Sequence, residues 1–250
     1  MKALITGASS GMGVDMARIL SKKGYDLILV ARRKDRLEKL KKELKTKVEI
    51  IPTDISDEQN CIDLYKKVKN EDIDILINNA GFGVHGSFNK TDLDKELEMI
   101  DLNVKAVHIL TKLFLKDFIK KDKGYILNVA SSAAFQPGPL MATYYATKVY
   151  VLHLTEAIYE ELRRKNSNVY IGALCPGPVD TEFNKVAKVS FSVKSMKSYD
   201  VANYAIKQMF KRKLVIVPSL TMKLTRFVSM LGPTKLKLMI AYNIQKSKQK

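Results

Sequence analysis

Tyr144 and Lys148 stand four residues apart in Tyr144-Tyr145-Ala146-Thr147-Lys148. On a helix that step puts a phenol and an ammonium side by side, with Tyr145 turned about 100° away. A phenol gives up its proton near pH ~10, and a cation a few ångströms off favours the phenolate, which suits Tyr144 to general acid or base work. The same spacing also serves an aromatic ring packed over an aliphatic lysine stem, so the chemistry depends on what else converges on the pair. Two other stretches could hold a phosphorylated ligand. Thr6-Gly7-Ala8-Ser9-Ser10-Gly11-Met12-Gly13 follows a short apolar run and precedes an amphipathic one. Its glycines allow a tight turn, and the following helix would point free N–H groups at an anion such as a pyrophosphate. Arg32-Arg33 closes the next apolar run, roughly 20 residues on, where an acid reads the ribose hydroxyls of NAD and arginine suits the 2′-phosphate of NADP.

These residues need elements to position them, and the hydrophobic pattern supplies a regular alternation. Strands are expected at Lys2 to Thr6, Tyr25 to Ala31, Val48 to Pro52, Ile73 to Asn78, Gly124 to Ala130, Val169 to Cys175 and Leu214 to Pro218. Helical stretches separate them, including Asp57 to Asn70, Leu102 to Lys121 and Tyr144 to Lys165. Seven strands joined through helices predict an α/β, doubly wound Rossmann fold, a seven-stranded parallel sheet with helices on both faces and ligands at the carboxyl ends of the strands. Polar motifs fall at those ends. Asp54 and Ile55 follow the third strand, Asn78-Asn79-Ala80-Gly81 the fourth, Ser131-Ser132 the fifth and Pro176-Gly177-Pro178-Val179-Asp180-Thr181 the sixth.

This ordered set resembles the short-chain dehydrogenase/reductase family in its single-domain form, over roughly residues 1 to 183. The resemblance implies a catalytic group of Asn103, Ser131, Tyr144 and Lys148. Ser131, thirteen residues before Tyr144, is similar to the serine that hydrogen-bonds the substrate carbonyl, and Asn103 to the asparagine holding a water that links the lysine to solvent. Gly7, Ser9, Ser10, Gly11, Met12 and Gly13 would cradle phosphates. Asp54 and Ile55 would meet adenine, with Asn79, Ala80 and Gly81 beside the ribose and Pro176, Gly177, Val179 and Thr181 near the nicotinamide. With Arg32 and Arg33, the implied cofactor is NADP(H) in preference to NAD(H). The implied reaction is carbonyl reduction or its reverse on a moderately apolar or acyl-type small molecule, in a homo-oligomer with a dimer favoured. A non-catalytic NADP(H)-binding scaffold is the alternative, and the intact group of four speaks against it.

Length and composition agree with one folded domain, read as residues 1–217 with a substrate loop at about 183–199 and a basic tail at 218–250. Cys61 and Cys175 are far apart and outside any metal-type spacing, which favours a reducing compartment, and no catalytic metal is expected. Without a signal-like start or a long apolar run, a cytoplasmic protein is expected. The net charge is +17, yet eleven Lys or Arg and no Asp or Glu follow Asp200, leaving +6 for the first 200 residues. Lacking interleaved aromatics, this basic tail does not point to nucleic acid. Leu220, Leu224, Phe227, Val228 and Leu231 share one helical face, and Leu236 to Ile244 begins another apolar stretch. Two readings stay open: peripheral attachment to an anionic membrane, or packing over the substrate cleft or a partner subunit. His85, in a glycine-flanked loop, is expected to be an exposed loop histidine.

Overall fold

Successive side chains of a strand point to opposite faces, and in the central strands both faces are apolar. In β1 (Lys2–Thr6), Ala3 and Ile5 pack with Met16, Ala17 and Leu20 of α1 (Gly11–Lys22) and with Val201 and Ala205 of α8 (Ser198–Phe210). Leu4 faces the other way. It joins Leu64 of α3 (Glu58–Val68) and Leu110, Phe114 and Phe118 of α5 (Val107–Lys121). The sheet is thus covered on both sides, as near-continuous apolar strands require. The computed structural model describes residues 1–187, 195–219, 221–223 and 233–247.

The remaining elements are β2 (Asp26–Ala31), α2 (Lys34–Glu43), β3 (Val48–Pro52), β4 (Ile73–Asn78), α4 (Leu93–Ile100), β5 (Tyr125–Val129), α6 (Ala142–Arg164), β6 (Tyr170–Leu174), β7 (Val179–Asp180), α7 (Phe183–Val186), β8 (Met196–Lys197), β9 (Val215–Ile216) and α9 (Thr234–Lys246). Seven strands form one parallel sheet in the order β3-β2-β1-β4-β5-β6-β9, with Leu4 paired to Ile28 on one side and Leu76 on the other. The order reverses between β1 and β4, and this is where a doubly wound sheet opens a crevice.

Several boundaries differ from the sequence reading for local reasons. The helix expected from Asp57 begins at Glu58, because the Asp57 carboxylate accepts the Asn60 N–H at 2.8 Å and caps the first turn. The helices expected after Thr91 and from Leu102 are one run, α4 to α5, with a π-helical turn over Asp101–Ala106 between them. The short ladder β7-β8 was not anticipated. Beneath the crevice, Asn78 donates to Thr111 Oγ1 at 3.1 Å and Asn128 Oδ1 at 2.8 Å, while Asn128 donates to Thr155 Oγ1 at 3.0 Å. This buried polar network ties β4 and β5 to α5 and α6.

Candidate active site

A cleft of about 1100 Å³ opens over the carboxyl ends of β1, β4, β5 and β6. Its floor starts at Thr6, whose hydroxyl accepts N–H bonds from Asn79 at 3.0 Å and Ala80 at 3.1 Å. The Asn79 amide donates to the carbonyls of Thr6 and Gly7 at 3.0 and 3.2 Å. That stitching draws the glycine turn against β4. Gly7 has φ +66°, and a Cβ there would lie 2.8 Å from the Ala80 Cα; one on Gly13 would lie 2.3 Å from the Gly7 carbonyl oxygen. Only glycine fits both positions. Helix α1 then starts at Gly11 with no side-chain cap and no acidic residue in its first turn. Its N-terminal N–H groups and positive dipole end suit an anion, so the turn fits a dinucleotide pyrophosphate.

The arginines after β2 flank the same cleft and are already engaged. Arg33 donates to Ser9 Oγ at 3.3 and 3.1 Å and to Glu182 Oε2 at 3.0 Å. Arg32 reaches Glu98 at 3.0 Å and Asp54 at 3.4 Å. Burial opposes the charge on Asp54, but the Ser56 backbone and hydroxyl bonds and Arg32 outweigh it and hold the carboxyl below its usual range. Ile55 is buried beside it.

At the other end of the cleft, α6 turns Tyr144, Thr147 and Lys148 inward on one buried face. Ser131 follows β5 and caps the turn Ser132–Phe135, accepting the Ala133 N–H at 3.1 Å. Its hydroxyl faces the Tyr144 phenol and favours the phenolate, while Lys148 Nζ donates to the Val129 carbonyl at 3.0 Å and lies 5.8 Å from the Tyr144 ring centre. Burial dominates the electrostatics. It pushes the Tyr144 phenol above its ordinary range, against the smaller downward pull of Ser131, and draws Lys148 down to about 8. The lowering of the phenol expected from Lys148 is not found: the one downward pull on Tyr144 comes from Ser131. The ammonium is turned onto a backbone carbonyl, and both groups sit where charge is poorly solvated.

Asn103 lies within the π-helical turn and is fully buried. Its side chain accepts the Phe82 N–H at 3.1 Å and donates to the Phe82 carbonyl at 2.9 Å and to Thr147 Oγ1 at 3.2 Å. Gly81 runs so close that a Cβ would stand 2.8 Å from Asn103 Oδ1 and 3.4 Å from Lys148 Nζ. The segment after β6 closes the far wall: Pro176 accepts the Ser132 N–H at 2.8 Å, Gly177 lies against Met222, Val179 is buried in β7 and Thr181 packs on Gly11. All the predicted site residues except Gly13 and Asn103 thus line one cleft from Ser9 and Arg33 to Tyr144.

Around Tyr144 the walls are apolar, formed by Phe82, Val84, Met141, Phe183 and Ala187. Helix α9 lies over this end, with Ala241 and Gln245 buried. Gln245 donates its side-chain amide to the Tyr145 hydroxyl, and its backbone carbonyl oxygen lies 3.3 Å from His85 Nε2. His85 is therefore half-buried under the tail and not an exposed loop residue. Of the expected substrate loop, residues 188–194 lie outside the described residues, as do Leu220, Leu224, Phe227, Val228 and Leu231 of the tail. Sequence reading missed Arg36, Glu98, Thr147, Glu182 and Gln245. Glu182 directly follows the Val179-x-Thr181 motif and could have been noticed there; nothing near Gln245 marks it.

Comparison with known proteins accords with this geometry. A family model for short chain dehydrogenases matches residues 1–189. A human very-long-chain 3-oxoacyl-CoA reductase is 31% identical over 205 residues, covering 79% of this chain but only 65% of that protein. The solved short-chain dehydrogenase from Sphingobium yanoikuyae in complex with NADPH is 29% identical, with a TM-score of 0.82 over 93% of this chain and 95% of that one. A bulky-bulky ketone specific alcohol dehydrogenase from Comamonas testosteroni is 28% identical, with a TM-score of 0.78 over 93% and 94%.

Proposed function

Because the chain belongs to the short-chain dehydrogenase family, we propose that this oxidoreductase reduces the carbonyl of an apolar ketone or acyl-type substrate to an alcohol, or runs the reverse, with NADP(H) and with Tyr144 as the proton donor. The observation that carries the reading is the meeting of Ser131, Tyr144 and Lys148 at one end of a cleft whose other end holds the glycine turn and two arginines. NADPH, when bound, supplies hydride to the carbonyl carbon. Tyr144, held protonated by burial, hands its proton to the carbonyl oxygen while the Ser131 hydroxyl donates to that oxygen. The phenolate left behind is stabilised by the positive charge of Lys148, whose remaining donors hold the ribose. Asn103 fixes the Phe82 backbone and Thr147 beside this pair and supports a water path from Lys148 to solvent.

Gly7, Ser9, Ser10, Gly11, Met12 and Gly13 would hold the pyrophosphate, Asp54 and Ile55 the adenine, Asn79 to Gly81 the ribose, and Pro176, Gly177, Val179 and Thr181 the nicotinamide. Arg33 bonded to Ser9 at the lip of the turn supports the preference for NADP(H). The apolar walls near Tyr144 support an apolar substrate, in keeping with the ketone and 3-oxoacyl names of the relatives. Residues 1–217 are read as the catalytic unit and 218–250 as a tail. The outer face of α9 exposes Leu236, Met239 and Ile240 between Lys235, Lys237 and Lys246, which supports peripheral contact with an anionic membrane. Exposed Leu97, Ile119 and Tyr150 on α4, α5 and α6 support a homo-oligomer. NADPH consumption with a panel of ketones, aldehydes and 3-oxoacyl thioesters tests the reaction. Turnover of the apolar members is expected, and no consumption with any class would remove the reading.

A further inference from the structure

Glu182 follows the nicotinamide-side motif and reaches back across the cleft to the two arginines at the adenosine side. Its Oε2 accepts from Arg33 Nη1 at 3.0 Å and its Oε1 from Arg36 Nη1 at 2.6 Å. Arg33 meanwhile holds Ser9 Oγ through Nε and Nη2. One carboxylate therefore occupies a fork of two guanidinium groups at the lip of the glycine turn, which is the kind of site that also accepts a phosphate. Hydrogen bonds from Arg36 and then Arg33 hold the Glu182 carboxyl below its usual range, so it is ionised at neutral pH. The pairs are solvent-exposed, each side chain being about two-fifths accessible, and such pairs exchange readily.

We propose that Glu182 is a tethered competitor for the phosphate-reading arginines, seated on Arg33 and Arg36 when no 2′-phosphate is there and exchanged for it when NADP(H) binds, so that this residue sets the ratio of NADP(H) to NAD(H) affinity. The inference rests on the NADP(H) reading above. A 2′-phosphate carries close to two negative charges near pH 7 against one for the carboxylate, so it can win the fork. The carboxylate, however, is on the same chain and competes at a high effective concentration. With NAD(H) the exchange does not occur: Glu182 stays paired with both arginines. The neighbours of Glu182 make its position consequential, since Thr181 packs on Gly11 and the Phe183 ring lies 5.3 Å from that of Tyr144.

Calorimetric titration of the full chain and of Glu182→Gln with 2′,5′-ADP and with 5′-AMP tests this. Glu182→Gln should bind 2′,5′-ADP about tenfold more tightly, from the loss of two exposed ion pairs, with 5′-AMP unchanged within about twofold. Unchanged or weaker 2′,5′-ADP binding overturns the proposal, as does equal tightening of both ligands. If the wild-type chain binds the two ligands alike, the NADP(H) reading fails on its own. Glu182 is then judged by the variant: a new preference for 2′,5′-ADP sustains its role, and none overturns it.

Discussion

Lys148 is a lysine whose burial works against its own charge. The residue is 5% exposed and drawn down to about 8 from the 10.5 of an unperturbed lysine. The folded chain therefore gives up this proton more readily than the unfolded chain does. Below pH 8 the ammonium is charged in both states and the burial penalty is fully present; between about 8 and 10.5 the unfolded state holds more protons, so stability rises with pH. Lys148→Met should accordingly be more stable than wild type at pH 7, on the order of 2 to 3 kcal/mol, with the difference shrinking to nothing above about pH 10.5, and it should lack turnover. Thermal melts across that range check the sign, and a Lys148→Met variant that is less stable at pH 7 contradicts it. At this scale the motif residues were legible, since Tyr144, Lys148 and Ser131 stand at spacings that one helix and one strand end bring together. Their electrostatics were not, because the cost of burying a phenol and an ammonium depends on walls such as Phe183 and Met141 contributed by distant segments.

Among the elements, the π-helical turn at Asp101–Ala106 and helix α9 do the positioning that no pattern announced. Leu102, Val104, Lys105 and Ala106 are ordinary helix formers, so the extra residue in the turn leaves no trace in hydrophobic spacing. The two-residue strands of β7-β8 are likewise too short to show a period of two. Helix α9 was legible as an apolar stretch with basic flanks, but its position came from Gln245 and Ala241, which look unremarkable in the sequence. One face of α9 covers the cleft and the other exposes Met239 and Ile240. The two readings of the tail are thus compatible. Replacing Met239 and Ile240 with glutamate should abolish flotation with anionic vesicles, an effect of about tenfold or more in the bound fraction, while leaving the fold intact. Equal flotation of wild type and variant would assign that face to something other than a membrane.

For the whole molecule, the alternation of strands and helices foretold the seven-stranded parallel sheet, because strands buried on both faces must be continuously apolar. The order of those strands then decides where chemistry can occur. Reversal between β1 and β4 opens one cleft, and the chain fills its two ends with groups from segments far apart in sequence, Ser9 and Arg33 at one and Ser131, Tyr144 and Lys148 at the other. The proposed mechanism requires that the phenol supply the proton. Tyr144→Phe keeps the ring that packs on Phe183 and removes only the hydroxyl. With the best substrate from the carbonyl panel, this variant should bind NADPH as wild type does yet reduce the carbonyl at least about a hundredfold more slowly. Reduction within a few fold of wild type, with NADPH bound equally well, would contradict it.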